Sequence, residues 1–293
     1  MDANVDYGGE KFVSARGCRD TNVENGFMGT FDGRGYTISN IKFERANVTV
    51  GSTTNKHVTT GLFGALGSTG VVKNLNLTGV NLSNTWSGVI GIATFGKVEN
   101  LNIEITNMAA NASGIAMYAY TMWKDSAGTT HHGDGAELKN TVIELNTAST
   151  VTLGTDGGAT FFFNIAGDAS DYQGKFVNNY FIANGKLSSA NTWVQNATQS
   201  GRFDATGNNN YMFNNATALT ETAYTKGSDV CEVSTGTAIT TAIVMIDNVR
   251  VNATVANGVI TLPTEVLDKL SAGTHTLTVL SGETYLEGTL TVA

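Results

Sequence analysis

The run His131-His132-Gly133-Asp134 gathers two imidazoles and a carboxylate, donors that suit Zn²⁺ or another divalent transition metal. Adjacent ligands on an exposed loop make a poor cage unless a third donor is held on a distant strand, so a solvated loop is the competing expectation. Just upstream, Met117-Tyr118-Ala119-Tyr120-Thr121-Met122-Trp123 reads as a strand with Tyr118 and Tyr120 on one face and Trp123 on the other. Facing outward, these rings would stack on the apolar faces of sugars, with Trp86 and Trp193 as further members; facing inward, they fill a core.

Cleavage of a polysaccharide would need paired carboxylates, or a carboxylate-bound Ca²⁺ beside an arginine or lysine base. Arginine occurs only at positions 16, 19, 34, 45, 202 and 250, and the acids Glu44, Glu99, Glu104, Glu137, Glu144 and Asp156 are scattered singly. Asp168 and Asp171 are the nearest pair, in a segment that a polar turn explains as well. Asp32, in Phe31-Asp32-Gly33, is expected to form a turn by accepting backbone N–H groups two residues on. The expectation is a chain with no catalytic residues and no cofactor.

The elements that carry these residues are strands. Among 293 residues there are 42 Thr, 30 Asn, 34 Gly and only 1 Pro, with 14% charged residues, so polarity comes from hydroxyls and amides that suit turns and strands. Aromatics at 9% argue against disorder, and the lack of a glycine triplet excludes collagen. A net charge of −8 without a basic run gives no footprint for nucleic acid. No apolar stretch is long enough to cross a bilayer, and Met1-Asp2-Ala3-Asn4-Val5-Asp6-Tyr7 has no basic start followed by an apolar run. The expectation is an exported segment without its signal, or a virion component.

An apolar–x–Asn–apolar–x–apolar phrase recurs along the chain. It appears as Ile38-Ser39-Asn40-Ile41-Lys42-Phe43, Val72-Lys73-Asn74-Leu75-Asn76-Leu77 and Val98-Glu99-Asn100-Leu101-Asn102-Ile103, then more loosely around Asn140, Asn179 and Asn210. Spacings of 34, 26, 40, 39 and 31 residues fall in the range of stacked repeats. Period-two alternation makes each phrase a half-buried strand, and rungs about 4.8 Å apart would let these asparagines hydrogen-bond one above another. The predicted shape is a β-solenoid with glycine corners at Gly29, Gly33, Gly35, Gly64, Gly67 and Gly70.

Phe31-Asp32-Gly33-Arg34-Gly35-Tyr36-Thr37-Ile38-Ser39-Asn40-Ile41, then Gly61-Leu62-Phe63-Gly64 and Val72-Lys73-Asn74-Leu75-Asn76-Leu77, resembles the GLUG-type repeat region of bacterial surface proteins. The resemblance covers residues 27–103 and implies a right-handed parallel β-helix. The family's opening strand looks cut short at Ala3-Asn4-Val5-Asp6-Tyr7, which hints at missing upstream sequence.

From Thr235 onward, short strands follow at close spacing, with Asn257-Gly258 as a type I′ hairpin turn and Pro263 starting a helical turn. The run from Ile260 to Val279 is similar to the end of bacterial Ig-like domains of surface and phage structural proteins. The expected organisation is all-β: a solenoid over residues 1–232 and a small Ig-like β-sandwich over 233–293. Cys18 and Cys231 would then lie nearly 30 Å apart, about six rungs of roughly 4.8 Å, beyond the roughly 7 Å Cα reach of a disulfide. The function these readings imply is structural and adhesive, displayed outside a bacterial cell or on a virion, with glycans or other surface proteins as partners. The alternative is a carbohydrate-active enzyme of the β-helix lyase or hydrolase class.

Overall fold

The computed structural model describes residues 1–12, 14, 26–44, 46–50, 53–58, 61–83, 88–109, 112–120, 122–124, 127–132, 135–151, 164–166, 173–187 and 207–293. The chain is all-β, with one α-helical turn, Thr264–Leu267, among the described residues. It divides into two compact units, residues 1–212 and 213–293.

The N-terminal unit is built on two long strands, Val71–Leu82 and Lys97–Met108, that pair in parallel with Leu75 beside Leu101, Asn76 beside Asn102 and Leu77 beside Ile103. Shorter strands continue the stack on both sides. Thr30–Asp32 and Thr37–Ser39 lie against Val71–Leu82, while Glu137–Lys139 and Val142–Leu145 lie against Lys97–Met108. Phe176–Ile182 follows, with Phe181 beside Ile143. The same side-chain type therefore recurs at one height after another. Ile38, Leu77, Ile103, Ile143 and Phe181 form one buried apolar column, and Val72, Val98, Leu138 and Phe176 form a second. Each such side chain removed from water contributes roughly 1.5–3 kcal/mol, so the columns fix the register.

A second parallel sheet runs Asn164–Ala166, Ala116–Tyr120, Gly91–Thr94, Gly64–Leu66 in spatial order. Leu66, Ala116 and Ala119 from this sheet join the apolar columns in one cluster, so the two parallel sheets share a core. Two antiparallel hairpins leave this frame: Ala46–Val50 with Thr53–Val58, and Met122–Lys124 with Thr130–His132.

Sharp changes of direction fall where the sequence offers asparagine or glycine. Asn74, Asn100, Asn140 and Asn178 have φ of 54°, 55°, 50° and 55° and follow one another in register across the sheet. Asparagine tolerates this left-handed conformation because its short amide bonds locally. Gly96 serves a different need: a Cβ there would stand 2.2 Å from the backbone oxygen of Gly70.

The expected asparagine ladder needs two corrections. Asn40 does not share the row of Asn74, because Thr30-Phe31-Asp32 pairs with Val71-Val72-Lys73 and brings Gly33 to that height; Asn40 sits against Gly79 instead. Asn178 rather than Asn179 takes the left-handed conformation, and Asn179 is a fully buried hydrogen-bonding residue one place further on.

In the C-terminal unit, Thr284–Val292 pairs with Gly273–Ser281, which pairs with Ile243–Ile246 and then Val249–Val251. Cys231–Ser234, Val259–Leu262 and Thr254–Ala256 form a three-stranded sheet. Val233 and Ile260 from this sheet meet Val244, Leu277 and Leu290 from the other in one apolar cluster. The unit begins well before the expected position 233. Thr217–Ala218 and Thr222–Tyr224 pair in parallel with Thr284–Val292, and Leu219, Tyr224 and Cys231 are buried in the same cluster. Asn257 and Gly258 both have positive φ, 49° and 78°, as a type I′ turn requires, and Pro263 directly precedes the helical turn. Cys231 is a buried free thiol; Cys18 lies outside the described residues.

Candidate functional site

The strand Ala116–Tyr120 carries the first candidate. Its Ala116 and Ala119 are both buried in the shared core. Tyr118 is registered between Ala93 and Asn164, and Tyr120 beside Ala166. The chain then enters the hairpin Met122–Lys124 with Thr130–His132, which pairs Trp123 with His131 and Met122 with His132.

The expected metal ligands His131 and His132 are consecutive in the strand Thr130–His132. Asp134 lies outside the described residues, as do Trp86, Trp193, Asp156, Asp168 and Asp171. Among the described residues, no group of three or more His, Cys, Asp or Glu side chains gathers as a metal site.

The structure also brings together two carboxylates that look unrelated in the sequence. Glu104 and Glu144 are direct register partners on neighbouring parallel strands. Asn146 Nδ2 donates to Glu104 Oε1 at 2.7 Å and the Gly79 N–H donates to Oε2 at 3.1 Å, while Asn184 Nδ2 donates to Glu144 Oε1 at 2.8 Å. The signal was present: Glu104 and Glu144 are separated by the same 40 residues as Asn100 and Asn140.

The remaining asparagines and carboxylates form rows of hydrogen bonds. Asn100 Nδ2 donates to Asn74 Oδ1 at 2.9 Å, and Asn74 Nδ2 donates to Asp32 Oδ1 at 3.0 Å. A buried row runs beside it, Asn102 Nδ2 to Asn76 Oδ1 at 2.6 Å and Asn76 Nδ2 to the Gly35 carbonyl at 2.7 Å. Asn40 Nδ2 donates to Asp6 Oδ1 at 2.9 Å. Asn179 Nδ2 donates to Asn210 Oδ1 at 2.9 Å, and its Oδ1 accepts the Thr141 N–H at 3.1 Å. Asn140 keeps the corner conformation of this set.

Asp32 forms the expected turn, accepting the Arg34 N–H at 2.9 Å. That bond, then Asn74 and Lys73, holds its carboxyl below the ordinary value. Asp6 is held low in the same way by Gly8 N–H and Asn40. Burial pushes the Glu137 carboxyl up, but Lys139 at 2.7 Å and Lys97 at 3.3 Å outweigh it and leave the group below its usual range.

No helix among the described residues is long and apolar enough to cross a membrane. No protein-family model, curated protein or solved structure matches this chain.

Proposed function

We propose that residues 1–212 form a right-handed β-solenoid of GLUG type and residues 213–293 an Ig-like β-sandwich. In this reading the chain is a non-catalytic structural and adhesive module, displayed on a bacterial surface or a phage virion, that holds glycans along one solenoid face. The stacked parallel register, with asparagine corners repeated at one height, supports the solenoid. The hydrogen-bond rows support a structural role, because Asp6, Asp32, Glu104 and Glu144 each accept from groups on another strand or corner. The glycan-binding part rests on the residue types of the strand Ala116–Tyr120, where Tyr118 and Tyr120 carry rings of the kind that stack on sugar faces. Binding of the full chain to a glycan array tests it: Tyr118→Ala and Tyr120→Ala should each lower binding at least severalfold, and unchanged binding in both retires the platform.

A second reading is favoured by one observation. The Glu104–Glu144 pair puts two carboxylates side by side on adjacent strands, and a pair of carboxylates is what a glycosidase needs. A panel of polysaccharides assayed for new reducing or unsaturated ends separates the two readings. Turnover lost in both Glu104→Gln and Glu144→Gln would replace the adhesive reading with the enzymatic one.

A further inference from the structure

His275, in the strand Gly273–Ser281, is the one histidine of the C-terminal unit, and its side chain is only 8% exposed. Its Nδ1 lies 2.6 Å from Asp247 Oδ2 and its Nε2 lies 2.9 Å from the backbone oxygen of Ser271. With Asp247 ionised, neither oxygen has a hydrogen to give, so both ring nitrogens must donate, and only the imidazolium carries two N–H groups. A neutral ring, in either tautomer, sets a nitrogen lone pair against an oxygen lone pair at one of these two contacts.

The partners are themselves fixed. Asp247 Oδ1 accepts the Thr276 N–H at 2.9 Å, and the Asp247 N–H donates to the Thr276 carbonyl, so the carboxylate cannot turn away without breaking a strand contact. Asp247 and Asn248 form a two-residue turn with φ of 49° and 62° between the paired residues Ile246 and Val249. Ser271 belongs to the segment that joins the helical turn to Gly273–Ser281. The ring therefore bridges two connections from different parts of the unit.

We propose that His275 is a proton-operated clamp: as an imidazolium it ties the Asp247–Asn248 turn to the segment around Ser271, and loss of its proton loosens that corner of the C-terminal unit. The charged groups facing it are Asp247, which favours the imidazolium, and Lys226, which opposes it; its cross-strand partner, Leu290, and its neighbours Thr274 and Thr276 are uncharged. The hydrogen bonds to Asp247 and Ser271 outweigh burial and Lys226, and hold the ring's pKa above its ordinary 6.5. A group raised in the folded state stabilises below its unfolded value and loses that effect as pH rises through the folded value. The unit is thus tightened in acid and loosened in alkali.

The test uses the full chain labelled with ¹⁵N-histidine, together with amide hydrogen exchange corrected for its intrinsic pH dependence. Below neutrality the His275 ring should show protons on both nitrogens, and it should titrate above a free histidine. Between about pH 6 and about pH 9 the protection of the Thr276 amide should fall by about tenfold, the loss of one charge-assisted hydrogen bond, while amides of Lys97–Met108 keep theirs. Asp247→Asn keeps an acceptor for Thr276 but removes the charge, and should flatten the Thr276 profile. A ring that titrates at or below the free value, or Thr276 protection independent of pH in the unmutated chain, overturns the proposal even if the variant does not fold.

Discussion

The side-chain amide of Asn100 donates to that of Asn74 at 2.9 Å, and the two backbones share a left-handed conformation, φ 55° and 54°. One residue type thus does two jobs at each corner: it turns the chain, and it bonds the corner to the next. Glycine could do the first and glutamine the second, but neither does both.

That division predicts an order of stability among variants of Asn74. Asn74→Gly keeps the turn but loses the bonds to Asp32 and Asn100, costing about 1 kcal/mol. Asn74→Ala loses the bonds and also strains the backbone, costing about 2–3 kcal/mol. Urea unfolding of the full chain measures both; alanine equal to or better than glycine would contradict the dual role.

Acid should weaken the N-terminal unit. Asp32 is held below its ordinary 3.8, first by the Arg34 N–H and then by Asn74 and Lys73, so its contribution is present above that value and fades as pH falls through the folded-state one. Asp32→Asn keeps the acceptor for Arg34 and Asn74 while removing the titration. The urea midpoint of the variant should therefore vary less than that of the unmutated chain between about pH 2 and about pH 5.

Close backbone approach gives a sharper test. Gly96→Ala places a Cβ 2.2 Å from the Gly70 oxygen, where nothing flexible can yield, and should cost about 2 kcal/mol or more. Gly185→Ala, with φ of 66° and open space around it, should cost only about 1 kcal/mol of backbone strain. Thermal unfolding that ranks the pair the other way would show the contact has been misjudged.

Burial pushes the Cys231 thiol up from its ordinary value, so the thiolate is scarce and covered. Iodoacetamide at neutral pH should leave Cys231 unmodified in the folded chain and label it in denaturant, as peptide mass mapping would show. Fast labelling without denaturant would mean that the edge of the three-stranded sheet opens.

Much of this architecture is legible in the sequence because it rests on short-range rules. The alternating phrases around Asn74 and Asn100 lie in strands, Asp32 makes its turn, and Asn257-Gly258 joins two strands. What escaped depends on register between distant segments. Nothing local distinguishes Asn178 from Asn179; the choice follows from Leu138 packing beside Phe176. Asn40 carries the right phrase yet stands at another height, since Arg34 and Gly35 lengthen the turn before it. Thr217–Ala218 and Thr222–Tyr224 are too short and polar to reveal their sheet, which only the long strand Thr284–Val292 provides. The pairing of Glu104 with Glu144 was hidden for the same reason, although equal spacing from Asn100 and Asn140 pointed to it.

An asparagine in a row gives the next height what it takes from the one before. Such a row is indifferent to how much chain lies between two successive members, provided that the chain returns to the same height. The 26 residues from Asn74 to Asn100 and the 40 from Asn100 to Asn140 meet that condition equally, with the hairpin Met122–Lys124 and Thr130–His132 falling within the longer interval. Residues added to or removed from such an excursion therefore leave the row's geometry untouched, so long as the chain still returns to the same height.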